Sequence, residues 1–111
     1  MISPTQRSKS LFMEQRYTVA VCEKWIERVG KRVDLFGCFD LVAIREDVVG
    51  VLGIQTTTGS NLSARVNKLL ESRNIRVWLL AENRVIVHGW RKLKNQLEGR
   101  WWHPKIVELK L

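Results

Sequence analysis

The sequence predicts a three-layer α/β/α domain around a central mixed β-sheet, and three observations carry that expectation. Two strand-length runs, residues 41–44 and 48–54, are nearly all apolar, as expected when helices cover both faces of a sheet. After them, Leu62, Val66, Leu69 and Leu70 fall at helical spacing, with Arg65, Lys68 and Ser72 on the opposite face. Further β-rich segments follow. The 111 residues are enough for one hydrophobic core and too few for two, so residues 1–111 are read as a single domain.

The elements are taken in chain order. Pro4 after Ser3 marks a helix start in a polar, basic segment running toward Gln15. Tyr17 to Cys22 is rich in β-branched residues and reads as a strand, and Glu23 to Trp25 either continues it or begins a helix. Gly30 and Gly37 break the next stretch, leaving Val33 to Phe36 as an extended or turn-like link into a strand from Phe39 to Ile44. Arg45, Glu46 and Asp47 supply a charged turn, and Val48 to Thr56 returns as a strand. Residues 57–61 form a small polar loop before the helix that opens at Leu62. Ile75 to Leu80 and Arg84 to His88 read as two more strands joined by a turn at residues 81–83, and Ile106 to Leu109 as a last strand.

The charge balance narrows the function. Nineteen Lys and Arg against eleven Asp and Glu give a net charge of +8, and a cationic small domain is suited to a polyanion because phosphate contacts release condensed counterions. Cys22 and Cys38 form no CxxC pair and have only His88 and His103 to help, so no zinc site is proposed; both read as reduced thiols of a cytoplasmic protein. No apolar run approaches the roughly 20 residues of a membrane span.

Two polar groups enter the apolar strands at places that matter chemically. Asp40 opens one strand and Gln55 closes its neighbour, so a carboxylate and an amide oxygen can converge on one divalent cation. Magnesium takes hard oxygen ligands and keeps several waters, one of which can attack a phosphodiester. Either residue can instead serve structure, Asp40 by capping backbone groups and Gln55 as a sheet-end hydrogen-bonder.

The order of Asp40, Gln55-Thr56-Thr57 and the following helix resembles the PD-(D/E)xK nuclease superfamily, over the stretch from Glu23 to His88. The wording of residues 34–37, 39–40, 55–61 and 88–92 is similar to small phage-encoded members related to archaeal-type Holliday-junction resolvases. The resemblance implies a restriction-endonuclease-like fold, Mg²⁺ or Mn²⁺ as cofactor, and duplex or branched DNA as substrate. It makes Asp40 and Gln55 the metal ligands, with Glu23, Glu14 or Asp34 as the extra carboxylate. Where the motif has lysine this chain has Thr57, which is neutral. Lys68 or Arg65 would then have to replace the missing cation, or the protein binds DNA without cutting it. A homodimer is the assembly expected of a protein that cuts a junction symmetrically, and the host cytoplasm is the expected location.

Other features carry paired readings. Residues 59–61 before a helix can present N–H groups to phosphate, but helix capping by Ser60, Asn61 or Ser63 is the simpler role. Arg91, Lys92 and Lys94 beside Trp90, Trp101 and Trp102 suit DNA backbone contact, with the rings mostly structural. His88 on an apolar strand reads as a core histidine. A basic module that contacts RNA or a protein remains a third reading of the charge.

Overall fold

The computed structural model describes residues 2–93 and 102–111. It shows a compact α/β fold with a mixed five-stranded sheet and three α-helices. Helix α1 spans Pro4–Glu14, and its start follows from Ser3. The Ser3 hydroxyl accepts the Gln6 N–H at 3.2 Å while the Gln6 side chain accepts the Ser3 N–H at 3.4 Å, so two otherwise orphaned donors are satisfied reciprocally.

The main sheet runs β1-β4-β5-β6-β7, with β1 Thr18–Val21, β4 Leu41–Ile44, β5 Leu52–Thr58, β6 Arg84–Lys92 and β7 Trp102–Leu109. Only β5 and β6 are parallel, in the register Leu52 with Arg84 through Thr58 with Trp90. A parallel pair needs a crossover. It is supplied by a 3₁₀ turn at Gly59–Asn61, α2 at Leu62–Leu70 and α3 at Arg73–Leu80. A separate two-stranded hairpin, β2 Lys24–Ile26 and β3 Lys31–Val33, stands apart from the main sheet.

Alternation along β5 and β6 sorts side chains to the two faces. Leu41, Ala43, Leu52, Ile54 and Ile86 pack with Phe12 of α1. Val85, Val87 and Leu109 pack with Phe39, with Leu62 and Leu69 of α2 and with Ile75 of α3. Helices therefore lie on both sides, which accounts for the nearly all-apolar strands. Gly53 belongs to the second face and lies directly beneath the Phe39 ring, where a Cβ would come within 2.5 Å of the ring carbons.

The local assignments need several corrections. Residues 75–80 are helix, not strand: Ile75, Trp78 and Leu79, at i, i+3 and i+4, turn to the core while Val77 and Leu80 are more than half exposed. A short apolar run has no period long enough to separate these states, and the crossover decided. Strand β5 begins at Leu52 rather than Val48, because Gly50 turns at φ +83° and the main chain of Val51 is held by Asn83 Oδ1 and by the Arg84 N–H. It extends through Thr57 and Thr58, which were expected in the loop. Lys24 and Trp25 neither extend β1 nor start a helix; they open the hairpin. Cys38 is core, whereas Cys22 is only partly covered, and both are free thiols.

Replacing Gly53 by alanine should cost about 1–3 kcal/mol by forcing the Phe39 ring to shift. Urea unfolding of Gly53→Ala, Phe39→Leu and the double variant checks this. The double variant should lose less than the sum of the two single changes, since the smaller side chain relieves the overlap.

Candidate functional site

The sheet is apolar at one end and polar at the other. Leu52 to Ile54, Val85 to Val87 and Leu41 to Ala43 fill one half, and Gln55, Thr56, Thr57, His88 and Asp40 are buried at the other. This is the carboxyl end of the parallel pair, where open α/β sheets place their ligands.

Asp40 sits at a break in the alternation. Phe39 joins the α2–α3 face and Leu41, two residues on, joins the α1 face. The Asp40 N–H donates to Ile54 O at 2.9 Å although Leu41 is the residue registered with Ile54, so two residues oppose one, as in a bulge. This turns the carboxylate to β5. Its Oδ2 accepts the Thr56 N–H at 2.8 Å and the Thr56 hydroxyl at 3.2 Å. Because Thr56 gives its proton to Asp40, it accepts from Thr5 of α1 at 2.9 Å. The Asp40 carbonyl takes the N–H groups of Cys22 and Glu23 at 2.8 and 3.3 Å.

Burial raises the Asp40 carboxyl to about 6; the Thr56 N–H opposes this, and the neighbouring Glu23 and Asp34 carboxylates add to the rise. Two of the three carboxylates proposed as the extra ligand, Glu23 and Asp34, thus lie within electrostatic reach of Asp40. Glu23 is also paired with Arg32 at 3.7 Å. Glu14 lies elsewhere, beside Ile44 to Asp47 at the opposite end of β4.

Gln55 follows Gly53 on the face toward α2 and α3 and is only 4% exposed. Its Nε2 donates to Cys38 O at 3.0 Å, while its Oε1 is buried without a partner among the described residues. Leaving such an oxygen unsatisfied costs about 1–3 kcal/mol, so a donor or a cation there would be stabilising. The structural roles foreseen for Asp40 and Gln55 are therefore occupied, by Oδ2 of one and Nε2 of the other. Hard oxygens remain at the same end of the sheet, but on different sides of it: Gln55 faces α2 and α3, whereas the Asp40 carboxylate is held by Thr56, whose hydroxyl meets Thr5 of α1. No group of three or more His, Cys, Asp or Glu among the described residues is arranged to hold a metal, so a cation would rely on one carboxylate, neutral oxygens and water.

The cations are placed differently from the ligands. Arg65 and Lys68 are exposed on α2, and neither is bonded to Asp40 or Gln55. Thr57 is buried, 6% exposed, and brings no charge. Arg91 and Lys92 are exposed at the end of β6, with Arg91 against Gly59; Lys94 and Trp101 lie outside the described residues. Asn61 caps α2 by position but makes no side-chain cap bond, and the Ser60 hydroxyl pairs with Thr58 at 3.2 Å.

His88 is a core histidine, 1% exposed and stacked on Phe12 at 5.0 Å. Ser8 accepts the Trp90 indole N–H at 2.8 Å and meets His88 Nδ1 at 2.9 Å, and burial lowers the imidazole to about 4. Sequence reasoning missed Thr5, Ser8 and Thr56. Thr5, Ser8 and Phe12 share one helix face at i, i+3 and i+7, but hydroxyl residues on a helix read as a solvated side.

Searches against protein families, curated proteins and solved structures matched nothing to this chain.

A pH series tests the burial of Asp40. Its folded value lies above its ordinary 3.8, so its contribution to stability is present below about pH 4 and is lost as pH rises through about 6. Asp40→Asn removes that dependence. Urea unfolding should therefore show the variant gaining on the wild type by about 2–3 kcal/mol between pH 4 and pH 7. A difference that stays flat across this range would contradict the raised carboxyl.

Proposed function

We propose that the chain is a DNA-directed, nuclease-like protein whose polar sheet end takes one divalent cation, Mg²⁺ or Mn²⁺, with Asp40 as its charged ligand and the Gln55 amide as the neutral oxygen available at the same sheet end. The observation that carries this reading is the buried Oε1 of Gln55, without a partner among the described residues, at the same end of the sheet as a buried carboxylate. Support also comes from the element order, with Asp40 entering one strand, the Gln55 segment on its antiparallel neighbour, and a helix next, which is the arrangement the nuclease resemblance implies. The net charge of +8 fits a phosphate polymer.

A cation bound there would supply charge neutralisation at phosphate and activation of water. The chain's own residues do the positioning. Thr56 holds the Asp40 carboxylate through Oδ2 and leaves Oδ1 for a ligand. Cys38 O fixes the Gln55 amide so that its oxygen is the free end. Only ionised Asp40 binds a cation, so metal affinity should fall as pH drops through about 6.

Thr57 favours a second reading, in which the protein binds DNA and does not cut it. A neutral, buried hydroxyl stands at the motif's lysine position, and Arg65 and Lys68 face outward on α2. Cleavage of labelled duplex, single-stranded and four-way-junction DNA, with Mg²⁺ or Mn²⁺, separates the two. The nuclease reading expects metal-dependent cutting that Asp40→Ala reduces at least about 100-fold. Tight, salt-sensitive binding with no cutting by the wild type would remove catalysis and leave the binding protein. Absence of DNA binding would overturn both.

A further inference from the structure

A cleft of about 280 Å³ lies between the first turns of α1 and the β2–β3 hairpin. Thr5 and Lys9 line it from the helix, and Glu23, Lys24, Trp25 and Arg32 from the hairpin side. Trp25 is 59% exposed, which is unusual for so large an apolar ring, and it stands directly opposite Arg32 in the hairpin register. The lining carries three cations, Lys9, Lys24 and Arg32, against one carboxylate, Glu23, which pairs with Arg32 at 3.7 Å. The hairpin belongs to no larger sheet, so its ring and its cations are presented together at the surface.

The cleft adjoins the polar sheet end. Thr5 reaches Thr56 and through it Asp40, and the Glu23 carboxylate is felt by Asp40. An exposed ring flanked by cations is a platform for a base with a phosphate on either side. In a duplex both faces of a base are already stacked, and a duplex is far too wide for this cleft. An unpaired nucleotide fits it in size and in charge.

We propose that the cleft binds an unpaired segment of a DNA strand, with one base stacked on Trp25 and the flanking phosphates held by Lys9, Lys24 and Arg32. This deepens the DNA-directed reading and rests on it. The strand would lie with its backbone running toward Asp40, so the hairpin selects the substrate that the sheet end receives.

The test is fluorescence anisotropy of a labelled single-stranded oligonucleotide and of its duplex, without added metal, using the full chain. Trp25→Ala should weaken single-strand binding about tenfold, while Trp25→Phe keeps most of it and duplex binding changes little in either variant. Replacing Lys24 and Arg32 together by alanine should lower the salt slope for single strands by about 1.4, or about 0.7 per lost phosphate contact. Wild-type affinity for single strands in Trp25→Ala would overturn the cleft assignment while leaving DNA binding intact. Equal losses on both substrates without rescue by phenylalanine would also overturn it, since that marks a structural role for the ring. Tighter binding of a matched RNA would overturn DNA as the occupant. If the wild type binds no DNA, the parent reading fails as well.

Discussion

The parallel pairing of β5 with β6 constrains everything around it. Two strands that run the same way cannot be joined by a tight turn, so the chain must leave the sheet after Thr58 and return at Arg84. The 3₁₀ turn, α2 and α3 fill that excursion and cover one face. Gly89 lets the return strand lie close to the start of the excursion: a Cβ there would meet Leu62 at 3.0 Å and Gly59 at 3.3 Å. The carboxyl ends of β5 and β6 then open side by side, and the antiparallel β4 brings its own first residues to the same place.

The opposite face is closed by a helix whose inward side is partly polar. Thr5 reaches Thr56, Ser8 reaches His88 and Trp90, and Phe12 docks among apolar side chains and on the His88 ring. Each hydroxyl is matched to a partner, so α1 is fixed in register along the sheet by directional bonds as well as by contact area. Such an interface is sensitive to the loss of any one partner, because each removal strands another buried group. Gln55 Oε1, on the other face, is a buried acceptor with no partner among the described residues.

Burial pushes the two titratable groups of this layer in opposite directions. Asp40 rises toward neutrality and His88 falls to about 4, so both favour their uncharged forms in the same interior. Their effects on folding oppose each other in the acidic range. The histidine contribution is lost as pH falls from about 6.5 through about 4, whereas the aspartate contribution is lost as pH rises from about 4 through about 6. At neutral pH the imidazole stays a neutral structural partner.

Local chemistry in the sequence was sufficient for the Ser3-Pro4 helix start, the β1 segment, the apolar runs that demand covered faces, the Leu62 helix and the position of Asp40 and Gln55 at one sheet end. These depend on capping, β-branching and periodicity, which act over a few residues. Tertiary structure decided the rest. Residues 75–80 became helix because the parallel pair required a crossover and their Ile75, Trp78 and Leu79 stripe could pack on it. The side-chain directions of Asp40 and Gln55 were set by the two-against-one pairing at Ile54 and by Cys38 O. Thr5, Ser8 and Thr56 became interior only once α1 lay on the sheet, and the hairpin cleft exists only between elements that meet in space. A residue's type and spacing fix what bonds it can make; which partners it finds depends on segments brought together from 51 and 80 positions away.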